Sequence, residues 1–264
     1  MIADDFTDDN VRRVARAAAL YVLRHEQHER GVAVGYDMRF GSERFAYLAA
    51  EELARAGLRV LLANDHAPTP AISYAVRHFA TAGAAVITAS HNPWRWSGFK
   101  FKANYGGSAS PHIVRRIEQL LDQPCPEQKG GEIVEADFGP PYRAHITRLV
   151  DVEKIARAGL RLAIDPMYGA AIGYLAALLE QHGVSVHEVH GRRDPLFPGL
   201  NPEPIEPHVE ELRRAVMERG CAAGFATDGD ADRVGAVDRR GDFVDSHRIF
   251  SILLEYLVDV RGLA

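Results

Sequence analysis

The sequence predicts an α/β fold, arranged as two consecutive α/β/α domains with mixed, largely parallel sheets. Three observations carry this expectation. Short apolar strand-like runs alternate with helix-length amphipathic runs, the order produced by parallel strands joined through helical crossovers. The alternation breaks at Gln123-Pro124-Cys125-Pro126-Glu127-Gln128-Lys129-Gly130-Gly131, a proline-glycine connector, and then resumes. At 264 residues the chain is long for one average domain and suits two.

Taken in order, Val11 to Leu23 carries apolar residues at helical spacing, with Thr7 or Asp8 available as N-cap. Val32 to Tyr36 reads as a buried strand. Ser42 opens a helix to Ala56, and Gly57 stands where a left-handed cap belongs. A strand over Leu58 to Ala63 precedes a helix that starts at Pro68-Thr69-Pro70 and runs to about Ala80. Ala84 to Thr88 is a third apolar strand. Gly98 to Ala103 alternates apolar and basic residues, as a half-exposed strand does, and Pro111 to Asp122 is helical. Beyond the connector, Phe138 to Val150 reads as a bridging helix. The second series is then strand Leu160–Ile164, helix Gly169–His182, strand Val184–Val189, helix His208–Arg219 and strand Cys221–Thr227. Arg239 to Asp242 is a turn, and Ser246 to Val258 a final helix. The expected units are 1–150, 151–245, and 246–264 as the opening of a third.

Composition narrows the function. With 47% hydrophobic and 25% charged residues the chain has the make-up of a folded globular protein. Lysine plus arginine total 31 against 36 acids, a net charge of −5, with no sustained basic stripe, so nucleic acid is not an expected partner. Cys125 and Cys221 are distant and form no C-x-x-C, which argues against a disulfide framework or a cysteine zinc site and fits a reducing compartment. The acidic start (Asp4, Asp5, Asp8, Asp9) lacks signal-peptide order, and the apolar run Tyr168 to Leu179 is too short to span a bilayer. A cytoplasmic enzyme with no membrane partner is the expectation.

Two stretches carry chemistry. Asp228-Gly229-Asp230-Ala231-Asp232-Arg233 places three carboxylates on alternate residues with small spacers. Residues two apart diverge on a helix but point the same way in an extended loop, so the three can converge on one ion. Hard oxygen ligands at this density suit magnesium or manganese better than zinc. A calcium EF-hand is excluded, because counting from Asp228 the sixth residue is Arg233 and the twelfth Arg239, where glycine and glutamate are required. The bland alternative is a solvated acidic turn.

Thr88-Ala89-Ser90-His91-Asn92-Pro93 puts a serine after an apolar strand, at the strand's carboxyl end, where open α/β sheets place ligands. A serine-hydrolase reading fails, since His91 is adjacent in sequence, poorly placed to deprotonate Ser90, and no G-x-S-x-G elbow exists. A serine carrying a phosphoryl group needs a metal to neutralise charge and a proton relay. His91 and Lys100 are both candidates for the relay, and the sequence does not separate them. Without its neighbours the hexapeptide is equally well a capping turn, and Lys100 a solvated strand-face lysine.

Together these residues resemble the α-D-phosphohexomutase family of phosphoglucomutases and phosphomannomutases. Thr88 to Pro93 is similar to its phosphoserine loop, Gly98-Phe99-Lys100 to the segment whose lysine moves a proton, and Asp228 to Arg233 to its magnesium loop. Gly35-Tyr36-Asp37-Met38-Arg39 resembles its early G-x-D-x-R turn more weakly. The resemblance implies interconversion of hexose 1- and 6-phosphates through phosphorylated Ser90 and a bisphosphorylated sugar. It assigns Ser90, Asp228, Asp230 and Asp232 to one Mg2+. Ser90, His91 and Lys100 are assigned to catalysis, and Arg39, Asn92 and Arg233 to substrate or phosphate. Glucose 1,6-bisphosphate or an equivalent is the implied activator. The family has four domains, so the chain is expected to supply two and the start of a third, without the G-x-R segment, the sugar-reading loop or the phosphate-gripping loop. An exposed docking face, prone to self-association, is expected where the third domain would sit. Two other readings stand beside this one. One is an aspartyl-phosphate phosphatase using Asp228, and the other a non-catalytic metal or sugar-phosphate binding module.

Overall fold

In the computed structural model, which describes residues 1–263, helix α1 (Asp8–His25) begins where the Thr7 hydroxyl accepts the Asn10 amide at 3.3 Å. Asp8 and Asp9 complement the positive end of that helix. Its alanine-rich face (Ala15, Ala17, Ala18, Ala19) is buried, and small side chains let it lie close along α2 (Ser42–Arg55). Gly57 follows α2 at φ +90°, the left-handed turn its position predicts.

The first sheet contains β1 (Val32–Tyr36), β2 (Arg59–Ala63), β3 (Gly83–Ile87), β4 (Phe99–Ala103) and β5 (Glu132–Ala136), in the order β4-β3-β1-β2-β5. All neighbours are parallel except β3 and β4. Both β1 and β3 are buried along their full length, as central parallel strands are. Helices α2 and α3 (Thr69–His78) pack on the sheet, and α4 (Pro111–Gln119) lies against α1. Strand β5 falls between the expected connector and the expected helix Phe138–Val150, in a stretch to which the sequence reading gave no element. It pairs with β2 from Arg59↔Glu132 to Ala63↔Ala136, and its charged residues are tolerated because it is an edge.

Helices α5 (Gly139–Leu149) and α6 (Val152–Arg157) lead into the second sheet. That sheet holds β6 (Arg161–Asp165), β7 (Ser185–Glu188), β8 (Ala223–Thr227), β9 (Val234–Asp238) and β10 (Phe243–Val244), ordered β10-β9-β8-β6-β7. Strands β7, β6 and β8 are parallel, while β9 and β10 run antiparallel. The helix expected over 169–182 forms only as α7 (Leu175–Gln181), because residues 169–174 make turns in which Gly173 is left-handed at φ 73°. Helix α8 (Glu210–Arg219) ends at left-handed Gly220. Helix α9 (Ser246–Glu255), capped by Asp245, runs on through a π turn over Tyr256–Val260. Its Phe250, Ile252, Leu253 and Leu254 are exposed.

Burial is unequal. One continuous cluster fills the first unit, from Val11 to Phe138. The second sheet has two smaller clusters, with Leu162 and Ile164 on one side and Ala163, Leu212 and Val216 on the other, as alternation along β6 requires. No helix among the described residues is long and apolar enough to cross a membrane. Each motif loop joins a sheet's third parallel strand to its antiparallel neighbour, residues 88–98 between β3 and β4 and residues 228–233 between β8 and β9.

Candidate active site

The serine loop is closed at its base by the Thr88 amide donating to Gly98 O at 3.0 Å. The Thr88 hydroxyl accepts the Ser90 amide at 2.8 Å. Ser90 lies in the left-handed region at φ 53°, a conformation a non-glycine residue adopts only when its surroundings impose it. Ser90 is buried, and its Oγ donates to Asp228 Oδ2 at 2.8 Å across the two sheets.

The metal loop folds around its own first residue. Asp228 Oδ1 accepts the amides of Asp232 and Arg233 at 3.0 and 3.1 Å, and the Ala231 amide donates to Asp228 O at 3.0 Å. Asp230 Oδ2 accepts the Thr69 hydroxyl at 2.7 Å and Lys100 Nζ at 2.9 Å, while the Thr69 amide donates to Asp230 O at 2.8 Å. Burial, then the charge of Asp230, pushes the Asp228 carboxyl up to about 7. Burial acts the same way on Asp230, but Lys100 and Thr69 outweigh it and hold that carboxyl below its ordinary value. Glycine is required at 229. A Cβ there would stand 2.4 Å from Ser90 O and 3.2 Å from Pro202 Cγ, so the two loops touch backbone to backbone.

Asp228, Asp230 and Asp232 present one carboxylate oxygen each within 4.8 Å of one another. Asp230 Oδ1 is buried and has no hydrogen-bond partner among the described residues. An orphaned anionic oxygen beside two further carboxylates and a serine hydroxyl fits a hard divalent cation, which would satisfy what the chain leaves unpaired.

The other expected residues are placed as follows. Lys100 lies 2.9 Å from Asp230 and 4.0 Å from Asp232, at the acidic cluster. His91 turns instead toward Glu203, with Nε2 3.9 Å from its Oε1, and Arg233 Nη1 reaches the same oxygen at 3.6 Å. The Asn92 amide donates to Ala89 O at 3.0 Å, within its own loop. Arg39, expected at substrate or phosphate, is fully buried. Its Nη2 donates to Ser90 O at 2.5 Å and Asn92 O at 2.7 Å, its Nη1 to Pro93 O at 3.1 Å and Trp96 O at 3.3 Å, and its Nε lies 3.2 Å from Asp37. Enclosed this way, its guanidinium faces loop carbonyls, not a ligand.

Three contacts escaped the sequence reading. Thr69 looked only like a helix start and Glu203 like part of a proline-rich loop, while Thr88 stood at the head of the serine motif with no role of its own. Nothing local distinguishes them, because each acts on a residue outside its own stretch of chain or on a backbone group that the pattern does not mark. Lys102 also departs from expectation. It is 6% exposed, its Nζ lies 3.3 Å from Ser108 Oγ, and burial, then Lys100, lowers its amine below the ordinary value.

Residues 1–125 match the sequence profile described as phosphoglucomutase/phosphomannomutase alpha/beta/alpha domain I, and residues 140–241 that of domain II. The chain is 33% identical over 260 residues to a phosphoglucosamine mutase of Carboxydothermus hydrogenoformans, covering 96% of this chain and 57% of that protein. It is 32% identical over 246 residues to a phosphoglucomutase/phosphomannomutase of Thermococcus kodakarensis, covering 91% and 54%. A crystal structure of a Thermus thermophilus protein, provisionally named a phosphomannomutase, superposes with a TM-score of 0.90 at 34% identity, covering 98% of this chain and 59% of that one. The chain therefore spans somewhat over half the length of these relatives.

Proposed function

Because this chain belongs to the α-D-phosphohexomutase family, we propose that it provides the phosphoserine and metal half of a site that interconverts hexose 1- and 6-phosphates. The observation that carries this is the 2.8 Å contact of Ser90 Oγ with Asp228, beside an orphaned Asp230 oxygen. A nucleophilic oxygen and an acidic cluster from separate sheets meet at one point. Ser90 would also serve as a ligand beside Asp228, Asp230 and Asp232. Bound there, Mg2+ supplies the positive charge that lets a phosphoryl group of about −1.5 to −2 sit among carboxylates.

In the proposed reaction a sugar hydroxyl attacks the phosphorus of phosphorylated Ser90. The new P–O bond forms as the P–Oγ bond breaks, and the hydroxyl proton passes to a base. Lys100 is the relay residue we assign, because its amine stands 2.9 Å from Asp230; the ammonium paired there must first pass its own proton on, and the neutral amine then accepts the hydroxyl proton. His91, held toward Glu203, and Arg233, paired to the same carboxylate, lie at the loop mouth, where Arg233 can turn to a phosphate oxygen. The bisphosphorylated sugar then returns its other phosphoryl group to Ser90 Oγ. Positioning by these side chains does most of the work in such transfers.

The test is intact mass with peptide mapping after incubation with Mg2+ and glucose 1,6-bisphosphate. Phosphate on Ser90, lost in Ser90→Ala, is the expected result. Phosphate on Asp228 instead would replace this reading with an aspartyl-phosphate phosphatase. Cation binding with no label on any residue would leave a binding module.

A further inference from the structure

Four backbone carbonyls of the serine loop, those of Ser90, Asn92, Pro93 and Trp96, converge on the one guanidinium of Arg39. Carbonyl oxygens brought together repel one another unless a cation sits between them. Arg39 is that cation. Its planar fork offers N–H groups in several directions at once, whereas a lysine amine offers three donors from a single point. The side chain is itself fixed from three sides. Asp37 lies 3.2 Å from Nε, the Phe197 ring lies 5.0 Å from the guanidinium carbon, and a Cβ at Gly229 would come within 3.3 Å of Nη2. Phe197 and Gly229 belong to the second unit, so the residue gathering the serine loop also bears on the half that carries the metal loop.

We propose that Arg39 is the positioning residue of the phosphoserine loop. By drawing four carbonyls inward it holds Ser90 in its left-handed conformation and clears acceptor dipoles from the face where a phosphoryl group would sit. The second effect matters because carbonyl oxygens aimed at a phosphate would oppose it, while the loop turned this way leaves the Ser90 hydroxyl facing Asp228. Arg39 itself touches no substrate in this scheme and acts through the loop. The chemical part of the inference rests on the phosphoserine reading, while the conformational part does not.

The test therefore has two arms on Arg39→Lys. Hydrogen exchange by mass spectrometry should show the peptide spanning residues 88–98 exchanging about tenfold faster, with β1, β2 and β6 unchanged. Labelling of Ser90 from glucose 1,6-bisphosphate should slow about 100-fold. Unchanged loop exchange, an equal rise across both sheets, or labelling within twofold of the unaltered chain would overturn the inference. If Arg39→Lys does not fold, Phe197→Leu takes its place. Removing the ring beneath the guanidinium should raise loop exchange and slow labelling in the same direction, by about threefold each. No change in that variant would overturn the inference too. If the unaltered chain takes no phosphate on Ser90, the phosphoserine reading fails while the exchange arm still decides the role of Arg39.

Discussion

The serine loop and the metal loop occupy equivalent places in the two sheets, each joining a parallel strand to an antiparallel one, yet they are centred on different groups. Each contains one left-handed residue other than glycine, Ser90 and Ala231. The metal loop wraps its own first carboxylate, with Asp228 accepting two amides from four and five residues on. The longer serine loop has no such internal centre and is gathered from outside by Arg39, 51 residues away from Ser90. A short loop can centre on one of its own carboxylates, even where a neighbour such as Thr69 also holds it. A long one borrows an anchor, and its conformation then depends on how other elements pack.

The largest effect expected is at Asp228. Asp228→Asn keeps a carbonyl oxygen for the two amides but removes the charge, so the loop should stay folded while divalent-cation affinity falls about 100-fold, as titration calorimetry would read. Unchanged affinity would break the claim that one residue both shapes and charges this loop. Gly229→Ala comes next. A methyl group aimed at the Ser90 carbonyl must part the two loops, lowering unfolding free energy by about 2 kcal/mol in denaturant titration. Stability equal to the unaltered chain would mean that the loops do not touch.

A third test asks whether the metal loop also has outside support. Ala170 donates its amide to Gly229 O at 2.9 Å, and the turn before it is tied down by Asp165, which accepts the Met167 amide at 2.7 Å and pairs with His190 Nδ1 at 3.0 Å. Glu211 holds the other ring nitrogen at 2.8 Å. Burial works against the imidazolium, but these two carboxylates outweigh it and raise His190 above its ordinary value. A raised histidine stabilises the fold fully below the unfolded value of about 6.5, and the contribution fades as pH climbs through the folded value. His190→Gln should therefore lower stability by about 1 kcal/mol at its greatest, with the fall in melting temperature largest near pH 6 and smallest in mildly alkaline buffer. A pH-independent difference would remove His190 from the support. The smallest effect belongs to Ala231→Gly. Relieving φ 59° should gain up to about 1 kcal/mol with cation affinity unchanged, and a loss would show that the turn is not strained.

Much of this was legible in the sequence, for identifiable reasons. The strand and helix alternation follows from hydrophobic periodicity, and Thr7 and Gly57 mark helix ends through local chemistry. Asp228, Asp230 and Asp232 could be read as one cluster because alternate residues in an extended loop share a side. Strand β5 was hidden because Glu132 and Glu135 give an edge strand the look of a linker. Strand β9 went unread because it follows directly on the acidic loop, and the left-handed turn at Gly173 cut short a helix that composition favoured. Burial of Lys102 and Arg39 was invisible for a deeper reason. Each charge is accommodated by partners beyond its own strand or turn, and no local pattern records them.

The hydroxyl of Ser90 is a donor to Asp228 only while it carries its hydrogen. An esterified oxygen has none to give, and a phosphate adds negative charge, so esterification would turn this contact from an attraction into a repulsion that a cation must bridge. Occupancy of the cation site and esterification of the serine would then be thermodynamically linked, each raising the other's equilibrium constant by the same factor. One 2.8 Å contact thus makes the two halves of the molecule report on each other.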